Sequence, residues 1–520
     1  MTSAQLRSGI FRTKSVEQSI ADTDEPATKL RRELGALDLT VFGVSVLIGA
    51  GIFAYTAEAA GDKAGPATAV AFVLAAIACG FAGMCYAEFA STVPVAGSAY
   101  TFSYATFGEF IAWIIGWDLV LEYALGASVV AKSWSKYLGQ VLALLGVPID
   151  GPAAFDFGFL QFDWGALLVI VGITTVLALG IKLSSRVSVL FTTLKVLIVL
   201  FVIVLGLFYV KGANYTPFFP PSKPGSASSG GGSDTLLQFF SGNAGSSFGV
   251  FGLLAAASLV FFAFIGFDAV STTAEETRNP QKDLPRGILG SLLVVTILYV
   301  LTSLVLAGMV PYQELSTDQN PGGATLATAF KLLGVNWAAG VVSVGALFGL
   351  TTVSLVLMLG QTRVMHAMSR DGLVPRGLAK TGGRGTPIRI TLIVGVACAL
   401  IAGFVPAGDL EQMTNIGTLF AFVLVSIGTA YLRRNRPDLP RSFRTPALPV
   451  VAVLAVISCL WLMINLSVET WIRFIVWMIV GFVVYFFYSR SHSVLGRRER
   501  GETIEALAPV DGGADRGHRT

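Results

Sequence analysis

The chain has 520 residues, of which 54% are hydrophobic and only 13% charged, with a formal net charge of +4. A soluble chain carries about twice that charged share, so a soluble globular domain is excluded and a polytopic membrane protein is expected. The net charge is too small for its sum to matter, which excludes nucleic-acid binding and leaves the placement of the charges as the informative quantity.

Residues 1–37 hold Arg7, Arg12, Lys14, Lys29, Arg31 and Arg32 and no apolar run before Leu39. They read as a disordered cytoplasmic tail with no signal peptide. Apolar segments then follow one another, each near the roughly 20 residues that span a bilayer. Segments one to twelve cover 38–60, 66–91, 101–141, 164–181, 186–210, 248–274, 286–311, 337–368, 388–405, 411–433, 447–466 and 471–489. Segment three is too long for one crossing, and Lys132, Trp134 and Lys136 suggest an amphipathic extension at its end. The expected organisation is a transporter domain over 38–489, with a first repeat at about 38–210, a second at about 248–433 and two extra helices over 447–489, followed by a disordered cytoplasmic tail over 490–520.

Lys and Arg orient helices in a bilayer. With the N-terminus inside, the cytoplasmic loops hold Lys182 and Arg186, then Arg278, Lys282 and Arg286, then Arg370, Arg376, Lys380, Arg384 and Arg389, then Arg433, Arg434, Arg436, Arg441 and Arg444. The opposite loops hold little more than Lys63, Lys211, Lys223 and Lys331. The bias agrees loop after loop with an even number of crossings and both termini in the cytoplasm. One outer loop, about 211–247, is rich in Gly and Ser and reads as a flexible tether.

Segment one, with Gly49-Ala50-Gly51 at its centre, is apolar enough for lipid yet interrupted at half depth. Segment six echoes it with Gly266 followed by Asp268. Irregular backbone is tolerated at membrane depth only where it lines a cavity, and interrupted segments in corresponding positions point to a transporter binding site. A break in segment one frees amides at a half-helix N-terminus, which suit an anionic group; Ala50, Gly51 and Ile52 are assigned to a carboxylate, with Leu47 and Gly49 beside them. A break in segment six around Phe262, Ala263, Phe264, Ile265 and Gly266 frees carbonyls that accept from an ammonium. One site offering both suits an α-amino acid. The competing reading is that these glycines serve helix packing alone. Asp268 is expected to support the unwound stretch, and Phe264 or a neighbouring aromatic to act as a lid.

Ionisable residues inside a bilayer are costly and mark function by default. Lys195 lies about 13 Å from the nearer end of segment five at 1.5 Å per residue. It reads either as a lysine snorkelling to the interface or as a buried amine that loads and releases a proton while bridging carbonyls of segment one. Glu122 and Asp118, one turn apart in segment three, could serve a proton path or a cationic side chain, or could bond neighbouring helices. Glu88 reads as structural. Glu275 and Glu276 are expected to pair with Arg278 or a nearby loop. Cys79, Cys85, Cys398 and Cys459 sit in apolar runs and read as small buried hydrophobes; with His366, His492 and His518 scattered, no metal site and no cofactor are expected. No nucleophile, metal or phosphate-loop motif supports an enzyme, and the single-chain asymmetry argues against a channel.

Residues 261–288, FFAFIGFDAVSTTAEETRNPQKDLPRGI, resemble the sixth-helix signature of the amino acid–polyamine–organocation superfamily, and more narrowly the bacterial branch of its cationic amino acid transporter family. Residues 43–53 and 360–375 are similar to that family's first helix and to the end of its eighth. The resemblance covers nearly all of 30–490. It implies an all-α integral membrane protein of twelve helices, a leucine-transporter-like 5+5 inverted repeat plus two, with helices one and six unwound. It implies carboxylate binding at Ala50 and Gly51, amine binding at the carbonyls of Phe262, Ala263 and Ile265, and a role for Lys195 in place of sodium. Several relatives have a hydroxyl residue where Ala50 stands, so no side-chain hydrogen bond is expected there. The segment 345–351, with Leu350, is mostly apolar and tilts the substrate toward neutral side chains.

The expected function is proton-coupled transport of small neutral or cationic (arginine or lysine) amino acids across the cytoplasmic membrane by alternating access. The alternatives are an amino acid/amino acid or amino acid/polyamine exchanger and, more remotely, a sensor that binds without transporting. The expected partners are an amino acid, protons and the lipid bilayer, with a small single-span auxiliary membrane protein left open.

Overall fold

The computed structural model describes residues 12–13, 34–93, 98–147, 151–156, 161–180, 185–224, 234–241, 246–320, 322–380 and 387–502. Apolar stretches in lipid must satisfy their own N–H and C=O groups, so they coil. Among the described residues eight helices are long and apolar enough to cross a membrane, and four shorter apolar ones stand among them: Ala36–Leu47, Trp164–Ala178, Ile388–Phe404 and Leu448–Ile464. Among the described residues the only strands are two pairs of two residues each, Phe155–Asp156 with Gln161–Phe162 and Lys223–Pro224 with Ser246–Ser247. The fold is therefore all-helical. Its exterior carries a wide apolar surface, with Val204, Ile297, Leu400, Ile457 and Ile475 each more than half exposed. Such an area on a soluble monomer would be a liability; here it matches a lipid solvent.

Local chemistry sets several helix ends. Asp163 caps Trp164–Ala178 by accepting from Ala166 N–H at 2.9 Å. Ser467 caps Val468–Val484 by accepting from Thr470 N–H, and Pro280 opens Pro280–Met309 where no N–H is needed. The helix Glu109–Leu144 packs along Asn336–Arg370, and Pro280–Met309 packs against both Ala36–Leu47 and Thr68–Thr92.

Segments one and six are both broken. The first half of segment one ends at Leu47, and Ile48 leaves helical geometry with ψ 89°. The second half starts with Phe53 N–H donating to Gly49 C=O at 3.2 Å and is under-wound, with π-turns over Gly51–Tyr55 and Ala59–Ala64. In segment six the helix Gly249–Val260 tightens to a 3-10 turn over Phe261–Phe264, extends at Ile265 (ψ 132°) and resumes as a 3-10 helix over Asp268–Glu276. Gly266 at φ +114° makes the turn, a conformation that disfavours any Cβ. The two breaks touch: a Cβ on Gly51 would stand 2.2 Å from Ala263 Cα. Gly at 51 is thus a requirement of close backbone approach.

Three expectations need correction. One helix over 101–141 is in fact two, Ser98–Thr106 and Glu109–Leu144, divided at Gly108 with φ +102°. No amphipathic extension closes it: the helix runs on to Leu144, Lys132 pairs with Asp163 at 3.6 Å, and Trp134 Nε1 donates to Thr351 Oγ1. Second, the N-terminal stretch is not wholly free, because Arg12 is 5% exposed and its guanidinium bonds the fully buried Glu109 at 2.8 and 2.6 Å. Third, the stretch after Ser489 begins as helix, Arg490–His492 and Val494–Glu499, with Ser493 as cap. Tyr104, Tyr485 and Ser493 also donate to Glu109, which explains why polar tail residues order there. The rest of both expected tails, 1–11, 14–33 and 503–520, and the Gly/Ser-rich centre of the long loop, 225–233, lie outside the described residues.

Candidate substrate site

The meeting of the two breaks encloses a small cavity lined by Val46, Leu47, Gly49, Ala50, Gly51, Gly126, Val130, Phe262, Ile265, Val353 and Leu357. Segment one supplies backbone. The amides of Ala50, Gly51 and Ile52 precede the first donor of the outer half-helix, Phe53 N–H, so they are helix-start donors without a partner one turn back. That half-helix is pinned from segment three, where Tyr137 Oη donates to Phe53 C=O at 2.7 Å. Segment six supplies carbonyls. Phe262 C=O accepts from Ile265 N–H. The Tyr299 hydroxyl lies between Ala263 C=O and Leu47 C=O; it has one proton and donates to one of the two at a time. Among the described residues no donor reaches Ile265 C=O.

The structure brings together six expected site residues: Leu47, Gly49, Ala50, Gly51, Phe262 and Ile265. Three others stand off the cavity. Ile52 is fully buried behind it and offers only its amide, Ala263 serves as the contact surface for Gly51, and Leu350 is fully buried elsewhere on its helix. The lining from the eighth segment is Val353 and Leu357, one turn apart, and Gly126 and Val130 face them from the third. None of these four was expected. Their i, i+4 spacing was the available signal, but in helices that are apolar all round it marks no particular face. Tyr299 was also not anticipated.

Gly266 and Asp268 belong to the unwound stretch as expected; Asp268 Oδ2 accepts from Tyr123 Oη at 2.9 Å, tying segment six to segment three. Lys195 is 1% exposed and donates to Ser45 C=O at 2.7 Å, on the last turn before the break in segment one. Gly349 packs against its stem, and among the described residues no carboxylate pairs with it. Glu122 is 2% exposed and does not line the cavity. It and Asp118 face Gly417 of segment ten, with Asp268 as a further acidic neighbour. Lys195 and Glu122 are thus separate: one grips segment one, the other stands between segments three, six and ten.

The cavity encloses about 20 Å³, room for about one water, so a larger ligand requires its walls to part. On the side away from the chain ends, Phe262 meets Tyr55 edge-on with ring centroids 5.5 Å apart. This pair, not Phe264, stands over the cavity on that side; Phe264 packs instead on Tyr299 and Phe72. Toward the chain ends, Glu276 pairs with Arg363 of segment eight at 3.2 Å rather than with Arg278; the side chain of Glu275 is outside the described residues. Glu88 anchors Arg433, Arg441 and Thr445 N–H, a structural role.

An all-helical membrane protein whose two broken helices meet around a buried cavity is a permease. The chain belongs to the amino acid permease family, whose profile matches residues 34–485. It is 46% identical to the branched-chain amino acid permease BcaP of Bacillus subtilis, over 95% of this chain and 100% of that one. It is 41% identical to the methylthioribose transporter of the same organism, over 94% and 100%, and 30% identical to the vacuolar cationic amino acid transporter 4 of Arabidopsis thaliana, over 94% and 96%. These relatives are permeases and transporters, and the family is not enzymatic.

Proposed function

We propose that this protein is a proton-coupled secondary transporter of amino acids with small apolar, including branched, side chains, working by alternating access in the cytoplasmic membrane. In this reading twelve helices cross the bilayer as a 5+5 inverted repeat plus two, with both termini in the cytoplasm, and the four shorter apolar helices cross with help from flanking turns. The observation that carries the reading is the contact of two broken helices, amides from one and carbonyls from the other, around a cavity whose remaining walls are Gly126, Val130, Val353 and Leu357. The carboxylate takes the amides of Ala50, Gly51 and Ile52; the ammonium takes Ile265 C=O and the spare lone pairs of Phe262 and Ala263. An apolar side chain fills the far wall. A cationic side chain would meet no carboxylate in that lining, and an unpaired buried charge is very costly; the name of the B. subtilis branched-chain relative supports the same choice.

Lys195 is the coupling residue of this scheme. Protonated, it donates to Ser45 C=O and holds the first half of segment one in the bundle; deprotonated, it keeps at most a neutral hydrogen bond, which is roughly half as strong, and that half-helix is freed to move. Glu122 belongs to the proton path that reaches segment six through Asp268.

The test is uptake of labelled L-leucine into proteoliposomes with an imposed inward proton gradient. Accumulation that collapses with the gradient, and is competed by valine and isoleucine but not arginine, is expected. Competition by arginine alone, or by methylthioribose alone, overturns the substrate assignment. Uptake only into vesicles preloaded with amino acid overturns symport in favour of exchange.

A further inference from the structure

On the chain-end side, the stretch that leaves segment ten carries Arg433, Arg434, Arg436, Arg441 and Arg444. The carboxylates near it are spent: Glu88 on Arg433 and Arg441, Asp438 on Arg436. Arg444 is exposed, and among the described residues no ion pair reaches it. Two contacts fix its place. Ser442 Oγ donates at 3.4 Å to Oε1 of Gln281, in the first turn of Pro280–Met309, and Thr445 Oγ1 donates at 2.9 Å to Met84 C=O of segment two. Arg444 therefore stands over the end of segment two, beside the start of segment seven.

Segment seven brings two more cations to the same level. Lys282 and Arg286 are exposed, one turn apart on Pro280–Met309, and among the described residues no ion pair reaches either; Asp283, next in sequence, is buried. At helical spacing their face continues through Leu289, Leu293 and Ile297, and the last two are 64% and 52% exposed. Segment two is the floor between segments seven and eleven. A Cβ on its Gly83 would meet Leu292 and Leu289 of segment seven, while Phe81 and Met84 pack against Leu448 and Val451 of segment eleven. Between those contacts Gly80 is open, because a Cβ there would meet no atom within 4 Å. It lies about 6 Å along the helix from Met84 at 1.5 Å per residue, and Ile77, one turn farther from the chain ends, is exposed. The result is a shallow apolar slot with three free cations at its chain-end mouth.

We propose that this mouth, formed by segments two, seven and eleven, binds one anionic phospholipid. Lys282, Arg286 and Arg444 hold the headgroup phosphate, and one acyl chain lies over Gly80 and Ile77. Cations at the membrane surface attract anionic headgroups. A zwitterionic lipid has the same phosphate but brings a cation of its own, which these three repel. The bound phosphate bridges segment eleven to segment seven, which packs on the first half of segment one. An excess of Lys and Arg on one side orients a membrane protein without any binding site; what sets this place apart is the open slot beneath the charge. The site rests on the membrane placement of these three segments and not on the substrate.

Native mass spectrometry of the purified protein in detergent, equilibrated with equimolar phosphatidylglycerol and phosphatidylcholine, reads the preference. One retained phosphatidylglycerol is expected, favoured about tenfold or more over phosphatidylcholine, and the preference should fall about fivefold with Arg286→Gln and again with Arg444→Gln, the share of one surface cation. Gly80→Leu fills the slot, leaves all three cations in place and should also lose the lipid. Arg370→Gln with Lys380→Gln removes two exposed cations from the stretch after segment eight on the same side and should change nothing. Millimolar inorganic phosphate should not displace the lipid. Equal retention of the two lipids, an equal loss on removing Arg370 and Lys380, or retention indifferent to Gly80→Leu overturns the site. Displacement by inorganic phosphate makes it a site for free anions and overturns the lipid. Should Gly80→Leu unfold at a lower temperature without lipid, the two arginine variants, both at exposed positions, decide. None of these readings depends on transport, so failure here leaves the amino acid assignment standing, and failure of that assignment leaves this site.

Discussion

The central cavity is closed in two very different ways. Toward the face away from the chain ends, one aromatic contact, Tyr55 on Phe262, parts it from a second cavity of about 260 Å³. Toward the chain ends stand successive layers: Lys195 on Ser45, Tyr123 on Asp268, Arg363 on Glu276, and Arg12 with three hydroxyls on Glu109. The difference teaches which closure is cheap to open. An aromatic pair is worth about 0.5–1.5 kcal/mol beyond its burial, within reach of one ligand's binding energy. The opposite closure combines charged hydrogen bonds and a buried ion pair, and it opens only when several are released together. In the proposed scheme, loss of the Lys195 proton is the kind of input that would be needed, since it acts on the layer nearest the cavity.

The largest effect is expected at the outermost layer, where the ion pair is buried. Glu109→Ala leaves the Arg12 guanidinium buried without its carboxylate; breaking one side of a buried pair costs about 3–5 kcal/mol. The unfolding temperature of the purified protein should fall clearly, and Arg12→Ala in the same background should recover much of it. An unchanged unfolding temperature in Glu109→Ala would show that the cluster carries no weight and that the thick closure lacks its outermost layer.

Next is Lys195→Ala. Loss of a hydrogen bond from a charged group costs about 1.5–3 kcal/mol, and in the proposed scheme the charge is also the coupling device, so gradient-driven accumulation of leucine should drop roughly a hundredfold at the upper end of that range. Downhill exchange of leucine should survive better. Full proton dependence in the variant removes Lys195 from the coupling scheme and hands the role to the carboxylates between segments three, six and ten.

A smaller change is expected on the thin side. Tyr55→Leu removes the edge-on contact and its roughly 0.5–1.5 kcal/mol, so the outward closure should open about twofold to tenfold more often by that energy. Labelling of a cysteine placed at the cavity by Gly126→Cys, with an impermeant maleimide, measures it directly. No acceleration would mean that the aromatic pair is not what seals this side, and the two closures would no longer differ in the way described.

How much of this was legible in the sequence follows from the solvent. Lipid forces helix on every apolar run, so the helical class and the positions of the segments could be read without contacts. Gly49, Gly51 and Gly266 stand where lipid should forbid them, which made both breaks readable. The side-chain walls were not. Segment eight is apolar on every face, so nothing in its sequence distinguishes Leu350 from Val353 and Leu357; only the packing of its neighbours sets the rotation. Phe262 and Phe264 differ by two residues in a stretch that changes from 3-10 turn to extended, where helical periodicity gives no phase. The Arg12–Glu109 pair joins residues 97 apart in the chain, and a charge in a polar tail looks solvated until its partner is found. The split of segment three at Gly108 was the missed local signal, since Phe-Gly before Glu109 marks a helix start.

The smallest effect is expected at Arg363. Its contact with Glu276 joins segment eight to the end of segment six on the chain-end side, at 3.2 Å, which makes it look like a gate. Yet the two side chains are 40% and 33% exposed, and pairs that accessible contribute only about 0.2–1 kcal/mol. Arg363→Gln should therefore change the leucine uptake rate by less than about fivefold, and the difference should shrink as ionic strength rises, because exposed charges are screened over about 10 Å at 0.1 M salt and about 3 Å at 1 M. Initial rates at low and high potassium chloride decide it. A change of tenfold or more, or one that salt leaves intact, would mean that Arg363 holds Glu276 in a drier state of the cycle, and the weight of the thick closure would then shift from its buried layers to its surface.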